Sequence, residues 1–178
     1  YSETLTVELE NEFLPFLYPN QYVNFSPDSE ASKLALSMVS ENTSDIDALK
    51  QIYNYVVNNL SYDYDKAETV ETGYLPDVDE TLSTKTGICF DYAALTTAML
   101  RSCDIPCKLQ IGYTGYIKHA WIDVYIRSKG WVTNAVSFNG DSWSLMDPTF
   151  DSSADSDDSE AIQDYIGNAD NYTVQFTR

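Results

Sequence analysis

One histidine, three cysteines and ten basic side chains are all that this 178-residue chain has of those residue types, and each scarcity excludes something. Three cysteines cannot make a disulfide scaffold, since one stays unpaired even if Cys103 and Cys107 were bridged. We read those two instead as small buried residues at a helix-to-strand junction. Cys103-x-x-x-Cys107 has no second ligand pair, so neither a zinc site nor any other metal or cofactor is expected. The ten cations face 28 acids, and a formal net charge of −18 repels the phosphate backbone of nucleic acid rather than neutralising it. No apolar run approaches the roughly 20 residues of a membrane-spanning helix. The first residues, YSETLTVELE, have neither the basic start nor the apolar core of a secretion signal, so a soluble chain, mature or trimmed, is expected.

What is present suffices for one core. Hydrophobic residues make up 43% and aromatics 13%, which suits a single domain burying roughly 70% of the surface that its unfolded chain exposes. We divide residues 1–178 into an N-terminal strand and helix extension at 1–45, a motif-bearing core at 46–150, and an acidic loop with a C-terminal segment at 151–178. The stretch DSSADSDDSE, 151–160, lacks the glycine and the regular ligand spacing of a calcium loop and reads as solvated. Sequons at Asn24, Asn42, Asn59 and Asn171 are read as chance.

Periodicity places the elements. TLTVELE alternates and is expected to be a first strand. ASKLALSMVS, after Ser29, reads as a short amphipathic helix. Ser44 and Asp47 signal the start of the next, along which Ile46, Leu49, Ile52, Tyr53, Val56, Val57 and Leu60 recur at steps of three and four. It ends near the turn-like SYDYD, and a loop with Gly73, Pro76 and several acids is expected to run to Lys85. The helix beginning near Cys89 differs: Ala93, Ala94, Leu95, Ala98, Met99 and Leu100 cover most of its circumference, which marks a central, buried helix. After Pro106 the period falls to two, through Cys107, Leu109, Ile111 and Tyr113 and then Ala120, Ile122, Val124 and Ile126. WVTNAVSF and SWSLMD flank an Asn139-Gly140 turn. Helices followed by an antiparallel meander make an α+β domain.

A cysteine at the start of a buried helix has a chemical consequence. The free N–H groups and positive dipole end of the helix favour the thiolate, which is the nucleophilic form. Gly87 lets the preceding backbone approach closely. Such a nucleophile needs a base, normally a histidine, and a group that holds the imidazole in the right tautomer. His119 begins the strand HAWIDVYI, and Asp147 ends the following hairpin, where Pro148 stops the strand. Together they form a Cys-His-Asp arrangement in that chain order.

The run TGICFDYAALTTAMLRSCDIPCKLQIGY, followed by HAW and then W-x-x-x-DPT, resembles the transglutaminase-like superfamily, in particular its bacterial extracellular members. The resemblance covers about Ile46 to Phe150. It implies a papain-like fold, with the buried cysteine helix packed on an antiparallel sheet, and an extracellular or cell-surface location. It also implies that Cys89 is the nucleophile, His119 the base and Asp147 the residue orienting that base. Two departures stand out: Asp104 occupies the position where the family usually has glycine before Ile-Pro, and an extra hairpin separates HAW from DPT.

The chemistry implied is acyl transfer on a peptide or protein amide. Cys89 attacks the carbonyl, His119 protonates the leaving amine, and an acyl-thioester remains for water or a second amine. The Cys89 N–H would meet the oxyanion, with Tyr62 as candidate second donor, against a plain packing role at a helix end. Trp121 and Trp143 are candidate groove walls, against aromatic packing in the sheet. No sequence feature marks an amine site, so hydrolysis is favoured over cross-linking. The alternative is a non-catalytic module of the same fold that binds a protein or cell-wall ligand, and the complete triad favours catalysis over it.

Overall fold

The computed structural model describes residues 11–133, 136–138, 143–145 and 172–178. The TLTVELE segment, the 151–160 acidic stretch and Asp147 lie outside them.

Among the described residues, five α-helices precede the four-stranded sheet. After a 3-10 turn at Leu14–Phe16 come α1 (Glu30–Met38) and α2 (Asp45–Asn59). Ser44 caps α2 as its sequence predicts, accepting from the Asp47 N–H, and its stripe of Leu49, Ile52, Tyr53 and Val56 is buried. The acidic loop expected up to Lys85 is instead a two-residue strand β1 (Ser61–Tyr62), α3 (Tyr64–Thr69), α4 (Val78–Thr84) and a second short strand β2 (Thr86–Gly87). The acids explain the difference. Asp63 accepts from Lys66 N–H to start α3, and Asp77 accepts from Asp79 and Glu80 N–H to start α4.

Helix α5 (Cys89–Ser102) is the centre of the molecule, with every residue from Asp91 to Arg101 buried. Leu95, Met99 and Leu100 have no exposed surface, and full burial of such a side chain stabilises by about 1.5–3 kcal/mol. Small residues allow α1 to lie close: Ala31, Ser32 and Ala35 are its buried positions, and Ser102 Oγ donates to Ser32 Oγ at 2.9 Å. At the far end Asp104 adopts φ 56, Asp104 N–H reaches Arg101 O and Ile105 N–H reaches Leu100 O. That is a Schellman stop with aspartate in the left-handed position usually given to glycine.

The chain then returns as β3 (Cys107–Thr114), β4 (Ile117–Ile126) and β5 (Gly130–Val132). The four-stranded sheet has the order β5-β4-β3-β8, its strands pairing antiparallel. Its fourth strand is β8 (Tyr172–Thr177), taken from the segment that the sequence left unassigned. β6 (Val136–Phe138) and β7 (Trp143–Leu145) form the expected hairpin as a separate two-stranded sheet. Cys107 pairs with Val124, Leu109 with Ile122 and Ile111 with Ala120, which sets these side chains on one face. Cys107 Sγ reaches Thr97 Oγ1 at 3.5 Å, so this is the face that α5 covers. The opposite face carries Gln110, Gly112, His119, Trp121 and Asp123. The α+β architecture, with the cysteine-bearing helix buried against an antiparallel sheet, is the one expected.

Candidate functional site

Cys89 is the first residue of α5, and Ile88, in extended conformation, precedes it as N-cap. It is partly exposed, as is Cys103, while Cys107 is buried, and all three are free thiols. Burial pushes the Cys103 thiol up to about 11 and the Cys107 thiol up to about 12, so neither ionises near neutral pH.

The chain reaches Cys89 through a backbone pairing. β1 runs parallel to β2, with Ser61 opposite Thr86 and Tyr62 opposite Gly87. Tyr62 therefore stands beside the strand that feeds the cysteine, its ring 5.0 Å from Tyr64 and 6.5 Å from Tyr92 between centroids. Asp63 N–H closes the pairing by donating to Gly87 O at 2.9 Å.

Beneath this junction lies a buried charge that the motif reading did not single out. Asp91, the third residue of α5, has no exposed surface. Its Oδ2 accepts from the Ile88 N–H and from Lys66 Nζ, each at 2.8 Å, and its Oδ1 accepts from the Tyr74 hydroxyl. An acid here complements the helix dipole and satisfies an otherwise orphaned N–H. Burial alone would lower the Lys66 ammonium pKa, but the hydrogen bonds to Asp91 and Tyr74 outweigh it and leave it raised. Burial, then the bond to Asp91, pushes the Tyr74 phenol up to about 12. The same acid explains Gly87: a Cβ there would lie 2.6 Å from Asp91 Cβ. The signal available in sequence was an acid three residues after Ile88. Nothing in sequence marked Lys66 or Tyr74, 25 and 17 residues away from it.

His119 is buried on β4 opposite Gly112. Only residues 103–106 join α5 to β3, so β3 returns along the helix from the Thr97–Cys107 contact. From that level Cys89 lies eight residues up α5, about 12 Å. Gly112, beside His119, lies five residues up β3, about 17 Å. Along that axis the two candidates lie toward the same end of the helix–sheet unit, but His119 is on the sheet face opposite the one that α5 covers. The His119 ring stacks near Trp121, at 6.3 Å and 16° between planes, and Tyr172 lies 6.5 Å from it.

Trp121 is fully buried, with Tyr172 packed edge-on at 5.1 Å, which is the geometry of sheet packing rather than of an open wall. Trp143 belongs to β7, and only its backbone is described.

The transglutaminase-like superfamily model matches residues 32–148, most of the chain, including α5 and β4. The chain belongs to the transglutaminase-like superfamily. A UPF0252 protein of Methanocaldococcus jannaschii is 39% identical over 69 residues, covering 35% of this chain and 20% of that protein. YebA of Bacillus subtilis is 25% identical over 154 residues, covering 74% of this chain and 21% of its own length. The chain thus spans about a fifth of those relatives. Among solved structures, the periplasmic domain of TgpA from Pseudomonas aeruginosa superposes with a TM-score of 0.55 at 18% identity, over 82% of this chain and 49% of that one. A candidate cysteine protease from Cytophaga hutchinsonii gives 0.53 at 24% identity, over 80% and 43%. These likenesses establish the shared fold. Among the described residues, no helix is long and apolar enough to cross a membrane.

Proposed function

We propose that this superfamily member is a thiol-dependent enzyme acting on peptide or protein amides, with Cys89 as nucleophile, His119 as base and Asp147 orienting the imidazole. The observation that carries this reading is the contrast among its cysteines. Cys89 opens a buried helix at the dipole's positive end and is reachable, whereas burial holds Cys103 and Cys107 as thiols. In the first step His119 takes the Cys89 thiol proton as the Sγ–C bond forms at the amide carbonyl, and the oxyanion meets the Cys89 N–H. The C–N bond then breaks as His119 delivers its proton to the amine. Water, deprotonated by His119, releases the acid from the thioester and regenerates the thiol. Tyr62, beside Gly87, is the second oxyanion donor in this scheme. Hydrolysis is favoured over amine transfer because nothing in the chain marks an amine site. The fold it shares with the periplasmic TgpA domain supports work outside the cytoplasm.

The test incubates the protein with a glutamine-containing protein substrate and a labelled primary amine, following peptide cleavage, ammonia release and amine incorporation together. Turnover should drop by about 10²–10⁴-fold in His119→Ala and be reduced in Asp147→Asn. Amine incorporation without cleavage would replace the hydrolase with a transferase. A fully active His119→Ala variant would remove the histidine from the mechanism, and no product across a broad panel would leave a binding module.

A further inference from the structure

The Lys66–Asp91–Tyr74 cluster has no part in the chemistry just described, yet it is anchored to the same turn as Cys89. Asp91 is two residues beyond the cysteine, and its carboxylate is fully buried. An uncompensated anion there would oppose the positive helix end that favours the thiolate. Its three donors come from three different places: the N-cap backbone, α3 and the loop before α4. Lys66 supplies the balancing charge, and its side chain keeps 31% of its surface exposed. The ammonium also sits 4.5 Å from the Tyr74 ring centroid, while Tyr74 packs edge-on against Phe90, next to Cys89.

We infer that Lys66 is a positioning residue for the Cys89 thiol: by pairing with Asp91 it lets a buried acid fix the helix start without opposing the thiolate. The acid is needed to hold Ile88 and the preceding strand in place, and the cation makes its presence compatible with a reactive thiol. Lys66 touches no reacting atom and acts through Asp91. The inference rests on Cys89 being the reactive thiol of the proposed function.

The experiment measures the rate of Cys89 alkylation by iodoacetamide at pH 7, by mass spectrometry of the folded protein, so no substrate or turnover is required. Lys66→Met should react about tenfold more slowly. Lys66→Arg keeps the charge and should stay within about threefold of the unmodified protein. The double variant Lys66→Met/Asp91→Asn removes both charges and should return to that same range. A merely structural role for Lys66 predicts the opposite for the double variant, which would then be at least as slow as Lys66→Met, and that result would overturn the inference. So would a Lys66→Met rate equal to the original. If Lys66→Met does not fold, Asp91→Asn carries the test: with the cation left unopposed, faster alkylation supports the inference and slower or unchanged alkylation overturns it. If Cys89 is no more reactive than Cys103 in the unmodified protein, it is the functional reading that fails. A reactive Cys89 that is indifferent to Lys66 fails this inference alone.

Discussion

Helix α5 buries a charge at each end, and the two charges are held in different ways. At the N-terminal end Asp91 is satisfied largely by side chains, Lys66 and Tyr74, that remain partly in contact with water. At the C-terminal end Arg101, 2% exposed, donates to carbonyls alone: Cys107 O twice, Tyr18 O and Arg178 O. Each charge has the sign that its end of the dipole favours. Arg101, whose pKa burial lowers, ties the start of β3 to two remote parts of the chain through main-chain oxygens. The end beside Cys89 is therefore adjustable, while the end that joins helix to sheet is locked.

The largest break of this comparison is at the locked end. Arg101→Ala removes four charge-assisted bonds, two of them to the buried Cys107 carbonyl, so a loss of about 3–5 kcal/mol is expected in urea denaturation. Alkylation of Cys89 in the folded fraction should not change. A slowed alkylation would show that the two ends are coupled.

Gly87→Ala attacks the other end. The new methyl would lie 2.6 Å from Asp91 Cβ and 3.0 Å from its Oδ2, so the acid or the strand must move. A loss of about 1–3 kcal/mol is expected, together with slower Cys89 alkylation, which Arg101→Ala should not show. A variant as stable and as reactive as the parent would mean that the approach of Gly87 to Asp91 is not tight.

Asp104→Gly should act in the opposite direction. Aspartate at φ 56 strains the Schellman stop, and glycine relieves it, for a gain of about 0.5–1 kcal/mol in the same measurement. Lys85, also at φ 56, is the matching position before Thr86 and Gly87 at the other end. A destabilised Asp104→Gly would show that the aspartate side chain contributes more there than its backbone costs.

How much of this was readable in the sequence follows from range. The Ser44 cap, the all-round apolar pattern of α5 and the alternation of β3 and β4 are local, and they appear as expected. Helices α3 and α4 were missed because each is under two turns long, too short to show a 3.6-residue period, although Asp63 and Asp77 stood in capping positions. β8 alternates Tyr172, Val174 and Phe176, but its partner β3 lies some sixty residues earlier, and no local pattern names a partner. The position of Cys89 at a helix start was legible. The groups beneath it were not, because Lys66, Tyr74 and Asp91 converge only through tertiary packing.

Alkaline pH should also separate the two ends. The folded protein holds the Tyr74 proton to about 12 against an ordinary 10.0, so between those values the native state binds more protons than the unfolded one, and stability must fall as pH rises. Raised Lys66 has the same sign: its contribution is complete below the ordinary lysine value and is lost as pH climbs through the folded one. At the C-terminal end Cys103 and Cys107 also lose stability with rising pH, but they start from an ordinary thiol value of 9.0, so their loss begins about one pH unit earlier. Urea melts at pH 8, 9, 10 and 11 should therefore show a decline beginning near 9 and steepening above 10. Tyr74→Phe keeps the ring beside Phe90 but removes the hydroxyl, so its curve should start lower at pH 8, follow the parent to pH 10 and fall less steeply beyond. A Tyr74→Phe curve parallel to the parent above pH 10 would mean that the Asp91 clamp does not hold the phenol proton.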